Sequence, residues 1–131
     1  MSARQKYDYA VVRVVPRVER GECVNAGVVL YCRGLGVLAA SIELDRPRLL
    51  ALAPGVDLES VSKALAVVPL VCAGDPAAGP VASLAQAERF HWLVAPRSTL
   101  VQASPVHAGF CSDPYQALEH LVATMVRTPK S

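Results

Sequence analysis

One stretch near the N-terminus constrains the fold more than any other. Val11-Val12-Arg13-Val14-Val15 and Val24-Asn25-Ala26-Gly27-Val28-Val29-Leu30-Tyr31-Cys32 are two Val-rich runs. Between them lies only Pro16-Arg17-Val18-Glu19-Arg20-Gly21-Glu22-Cys23. β-Branched side chains have little χ1 freedom and pack well on a pleated surface, so each run reads as a strand. The connection, dense in Arg and Glu and holding one Gly, reads as a charged turn. Apolar residues extend over both faces from Tyr7 to Val15, as in a strand covered on both sides. Arg13 breaks that run. A charge in such a place is rarely buried alone, so it either reaches a functional cleft or pairs with Glu19 or Glu22, and the pairing is the more economical reading.

The second run puts Val24, Ala26, Val28, Leu30 and Cys32 on one face and Asn25, Gly27, Val29 and Tyr31 on the other. Asn25 and Gly27 are poor strand formers; Gly27 suggests a bulge or a close backbone approach, and Asn25 is expected to hydrogen-bond across the turn. Arg33-Gly34-Leu35-Gly36 is a tight-turn signal, and Val37 to Leu44 supplies a third strand, completing an antiparallel meander. Asp45 then caps a short helix with Pro47 in its first turn, ending near Pro54-Gly55. Asp57 caps a second, with Leu58, Val61, Leu65 and Val68 at helical spacing until Pro69 or Gly74 stops it. Ala73 to Pro80 reads as a loop. Val81 to Ala95 mixes helical and alternating patterns, and a helix running to about Leu93, closed before Pro96, is favoured. A short strand, Leu100 to Ala103, precedes the last helix. There Asp113 is the cap, Pro114 takes the first position, Gln116 the third, and Tyr115, Leu118, Val122 and Met125 form the buried stripe until Thr128-Pro129.

Composition excludes several classes of function. The 131 residues suit one domain, 1–131, and 53% apolar against 18% charged places it among globular proteins. Aromatics are only 5%, so Val, Leu and Ala must build the core. A net charge of +2 is too small for bulk nucleic-acid binding. No window approaches the roughly 18 continuous apolar residues of a membrane span. Cys23, Cys32, Cys72 and Cys111 form no C-x-x-C pair and no zinc-type spacing. Met1 to Lys6 shows no apolar leader, so reduced, mostly buried thiols in a cytoplasmic protein are expected. Ten arginines stand against three lysines. Either a need for planar, bidentate anion contacts or a GC-rich genome accounts for that bias.

No stretch closes into a catalytic or cofactor signature, and no cofactor is expected. The polar candidates fall into two islands. The first holds Arg13, Arg17, Arg20, Glu22 and Asn25; the second holds Arg97, Ser98, Thr99 and His107. Arg97-Ser98-Thr99 offers a guanidinium fork, two hydroxyls and consecutive amides, a combination suited to phosphate or carboxylate. The competing reading has Ser98 and Thr99 closing a turn after Pro96 while Arg97 bridges to Glu22 or Glu88. Ser98, His107 and Asp113 are the residue types of a hydrolytic triad, yet no nucleophile elbow surrounds Ser98 and Asp113 looks like a helix cap. His107, Cys111 and His91 lack the further ligands of a metal site. A Mg²⁺ centre on Glu19, Glu22 and Asp113 competes with local pairing of both glutamates to the neighbouring arginines, which explains them with less.

Tyr7-Asp8-Tyr9-Ala10-Val11-Val12-Arg13-Val14-Val15-Pro16, Arg20-Gly21-Glu22, Asn25-Ala26-Gly27-Val28-Val29-Leu30, Arg89-Phe90-His91-Trp92-Leu93, Pro96-Arg97-Ser98-Thr99 and His107-Ala108-Gly109 resemble the bacterial family catalogued as domain of unknown function 3037. The resemblance spans about Tyr7 to Val126 and brings no activity with it. It implies a bacterial intracellular protein, and the association of such genes with kinases similar to the HipA toxin type implies a partner or regulator. The expected fold is α+β: an antiparallel sheet of about four strands with three to four helices packed mainly on one face. The expected function is a non-enzymatic binding or adaptor module with an Arg-lined anion site. An enzyme acting on phosphate esters or nucleic acid, with His107 or His91 as general base, is the alternative. A purely structural third reading pairs Glu22 with Arg97 or Arg89.

Overall fold

The structure is a computed structural model that describes residues 4–128. Met1 to Ala3, part of the expected lead-in, and Pro129, the expected helix stop, lie outside those residues. β1 (Gln5–Val14), β2 (Val24–Cys32) and β3 (Val37–Ile42) form the antiparallel meander. β4 (Val101–Ala103) and β5 (His107–Cys111) both pair antiparallel with the other side of β1, end to end along its length. The order is β3-β2-β1-β4, with β5 also beside β1. The sheet thus has five strands where about four are expected. β5 escapes notice because its side chains are mostly exposed and it lies between Pro105 and the Asp113 cap, with Gly109 inside it. Its order comes from pairing with β1 and leaves no apolar alternation to read.

Four helices complete the α+β fold: α1 (Arg46–Leu52), α2 (Leu58–Ala73), α3 (Gln86–Val94) and α4 (Pro114–Met125). Asp45, Asp57 and Asp113 cap α1, α2 and α4, each carboxylate accepting from first-turn amides. Pro69 sits inside α2, which runs on to Gly74, whose φ of +67° gives the left-handed turn that ends it. The helix expected from Val81 begins only at Gln86, because Pro80–Ser83 closes a separate 3-10 turn and Leu84 is extended. Tyr115, expected in the buried stripe of α4, is 63% exposed; the expected Leu118 and Val122 are buried, joined by Leu121, with Met125 packed beside them.

The sheet carries a core on each face. Ala10, Val12 and Val14 of β1 pack with Leu49 of α1, Val61, Leu65 and Val68 of α2, and Phe90 and Leu93 of α3. Tyr9, Val28, Leu30 and Cys32 pack on the opposite face with Leu118, Leu121 and Val122 of α4. Three helices therefore cover one face, and α4 covers the other. Between β1 and β2 the register passes from Val12 opposite Gly27 to Arg13 opposite Asn25, leaving Ala26 as the extra residue of a bulge. The bulge shifts the alternation by one residue. Val24 and Ala26 join the core of Val29, whereas Val28, Leu30 and Cys32 face α4. The single apolar face expected of β2 is split between the two cores.

Candidate functional site

The β1–β2 connection folds back on itself through Arg17, whose carbonyl accepts from the amides of Arg20 and Gly21. Gly21 supplies the positive φ, +71°, that this turn requires. The turn brings Arg17, Arg20 and Glu22 to one wall of an open cleft of about 470 Å³. Leu52 and the α1–α2 connection, Ala53 to Val56, form the opposite wall. The Arg20 Nε donates to Glu22 Oε1, and that carboxylate raises the Arg20 pKa above its ordinary value. Arg17 is exposed and makes no side-chain hydrogen bond or ion pair among the described residues. Two guanidiniums and one carboxylate thus line the cleft, and among the described residues only Arg20 is paired with that carboxylate.

Arg13 and Asn25 lie elsewhere. They are cross-strand partners on the sheet face that α4 covers. Asn25 Nδ2 donates to Met125 O at 2.9 Å, tying β2 to the end of α4 instead of crossing its own turn. Arg13 pairs with neither Glu19 nor Glu22, and its Nε is buried without a hydrogen-bond partner among the described residues. The pairing expected for it does not form: the charged turn lies against the end of α1 and the α1–α2 connection, with Glu22 taken by Arg20.

The second island is also apart from the first. Arg97 bridges to neither Glu22 nor Glu88: it donates to Trp92 O, and its guanidinium carbon stands 4.1 Å above the Trp92 ring centre, a cation–π contact. Thr99 Oγ1 donates to Val101 O at 2.8 Å and Gln102 Nε2 donates to Thr99 O at 2.9 Å, the turn-closing role foreseen for this segment. Ser98 is exposed. His107 is exposed on β5 and stacks on Tyr9 with ring centres 5.6 Å apart. Asp113 is occupied in capping α4. Among the described residues no three His, Cys, Asp or Glu side chains gather as a metal site.

Two further polar residues organise the fold: Arg89, a polar candidate of the sequence, and Ser104, which drew no attention there. Arg89 donates to Val71 O and Cys72 O at 2.7 Å each and to Leu84 O at 3.0 Å, satisfying carbonyls at the end of α2 instead of pairing with Glu22. Ser104 is buried where the edge passes from β4 to β5; its amide donates to Val11 O and its Oγ accepts from Val11 N, both at 2.8 Å. The four cysteines are free thiols, three of them buried, and only Cys23 is exposed. Burial pushes the Cys72 thiol up to about 12, against the opposing pull of the Arg89 guanidinium.

Over residues 9–126 the chain matches the family described as protein of unknown function (DUF3037), and it belongs to that family. No curated protein and no solved structure matches it. No described helix is long and apolar enough to cross a membrane.

Proposed function

We propose that this member of the DUF3037 family is a non-enzymatic binding module whose ligand is anionic and seats between the β1–β2 turn and the α1–α2 connection. The observation that carries the reading is the state of the two arginines. Arg20 is held by Glu22, which fixes the wall, while Arg17 lines the same cleft with its guanidinium unpaired among the described residues. Such a fork recognises a carboxylate or phosphate through paired N–H donors. The opposite wall, Leu52 to Val56, is apolar and suits the body of a ligand or the side chains of an acidic peptide. The family resemblance adds a setting, the bacterial cytoplasm, and a macromolecular candidate, an acidic segment of a kinase similar to the HipA type.

A thermal-shift titration with inorganic phosphate, ATP and an oligoglutamate peptide tests this. A ligand that binds only the folded chain stabilises it by about 2.7 kcal/mol at a hundredfold excess over its Kd. At least one probe is expected to raise Tm by several degrees, to lose that effect in Arg17→Ala, and to lose most of it in high salt, since exposed guanidiniums are screened. Arg97→Ala, which lies in a different cleft, is expected to keep it. No shift with any probe would overturn the anion site. Release of phosphate from a bound ester would overturn the non-enzymatic part of the reading and favour a phosphate-ester hydrolase.

A further inference from the structure

A second cleft, of about 220 Å³, opens on the face of the sheet covered by α1 to α3. Val12 of β1 and Val29 of β2 are its floor, Ala64 and Val68 of α2 one wall, and Trp92 and Arg97 stand on the other side. Val12 and Val29 are themselves nearly covered by the core, at 4% and 1% exposure, so the accessible space lies among Ala64, Val67, Trp92, Leu100 and Val101. Empty apolar space forfeits dispersion contacts along its whole lining. The lining is apolar except at the mouth, and it holds one charged group, Arg97, with no carboxylate. One guanidinium N–H goes to Trp92 O, and no acidic residue among those described pairs with Arg97. Stacking on Trp92 holds the fork at the rim, and among the described residues its remaining donors have no partner.

We infer that this cleft binds a small amphipathic carboxylate, its apolar body against Ala64, Val67 and Leu100 and its anionic head on Arg97. Shape sets the size. The volume falls below the ~300–1,000 Å³ typical of sites for drug-sized ligands, so the occupant is a short chain or single ring. Charge sets the head group, since a lone cation at the mouth of an apolar space favours one anion and rejects a cation. The Arg17 cleft shares no lining residue with this one, so the two readings stand or fall separately.

Trp92 is the only tryptophan of the chain and sits in the lining, so intrinsic fluorescence reports on this cleft directly. Octanoate is expected to change the emission saturably. 1-Octanol, which has the body without the charge, and acetate, which has the charge without the body, are each expected to bind at least about tenfold more weakly, because a charge-assisted hydrogen bond or the buried chain is missing. Arg97→Gln should weaken octanoate by about tenfold or more and leave 1-octanol unchanged, while Arg97→Lys keeps part of the difference. Ala64→Leu, which places a side chain in the space, should abolish both responses while circular dichroism confirms folding. The inference is overturned if octanoate gives no saturable change, if octanoate and 1-octanol bind equally, or if folded Arg97→Gln or Ala64→Leu binds octanoate as the parent does.

Discussion

Ser104 carries out at one position what a whole ladder residue does elsewhere. Val11 lies opposite the gap between β4 and β5, and both its amide and its carbonyl are satisfied by Ser104. In Ser104→Ala the Val11 amide loses its acceptor inside the protein, a loss that costs about 1–3 kcal/mol. Urea denaturation is expected to show a lower midpoint with the slope unchanged. An unaltered midpoint would mean that water replaces the hydroxyl and that the break in the edge is solvated. Nothing local in Ser104-Pro105 marks this role, since it depends on two short strands meeting beside a distant valine. The same physics hid the task of Arg89, which serves carbonyls at the end of a helix far away in the sequence. Residues with short-range tasks were legible: Asp45, Asp57 and Asp113 cap the helices that follow them within a few residues.

At the level of elements, the β2 bulge splits the apolar positions of that strand between the two cores, and Gly27 beside it lets β3 approach closely. A Cβ built on Gly27 would stand 2.6 Å from Ser41 O and 2.6 Å from Ile42 Cδ1, so the β3 backbone itself would have to move. Overpacking of that kind typically costs about 1–3 kcal/mol. Gly34 offers the contrast, since a Cβ there meets the Gln5 side chain, which can swing away. Gly27→Ala is expected to lower Tm by several degrees and Gly34→Ala by much less; equal effects would show that β3 yields as readily as a side chain. The meander and helices α1, α2 and α4 were readable from Val-rich runs, Asp caps and 3.6-residue spacing. The faces of β2 were not, because one inserted residue reverses every side chain beyond it. Nor was β5, whose exposed residues follow no apolar period.

For the whole molecule, spatial neighbourhood decides which polar residues act together, and it is the property least visible in a linear string. Arg17, Arg20 and Glu22 share one cleft, Arg97 and Thr99 another, Arg13 and Asn25 the face beneath α4, and His107 the outer edge. Each group was visible as chemistry, but their division among four places follows from the sheet order and the bulge. The same topology makes α4 the one described helix over the second core, so its fastening bears on the stability of the entire fold. That fastening is partly ionic. Arg127, just beyond α4, donates from Nε and Nη2 to the two carboxylate oxygens of Glu43 at 2.9 and 2.7 Å, and from Nη1 to Glu119 at 2.6 Å. Hydrogen bonding from Arg127 lowers the Glu43 pKa below its ordinary value near 4.5. A carboxyl lowered in the folded state adds stability that is present above its unfolded pKa and lost as pH falls through the folded one. Melting temperature is therefore expected to fall as pH drops below about 4.5, with a shallower fall in Glu43→Gln. The Glu43 side chain is 40% exposed, so screening keeps the difference small and high salt should shrink it further. If the gap between Glu43→Gln and the parent stays constant from pH 7 to pH 3, the ion pair does not fasten α4. The apolar stripe of Leu118, Leu121 and Val122, with the Asn25 bond to Met125, then holds the helix on its own.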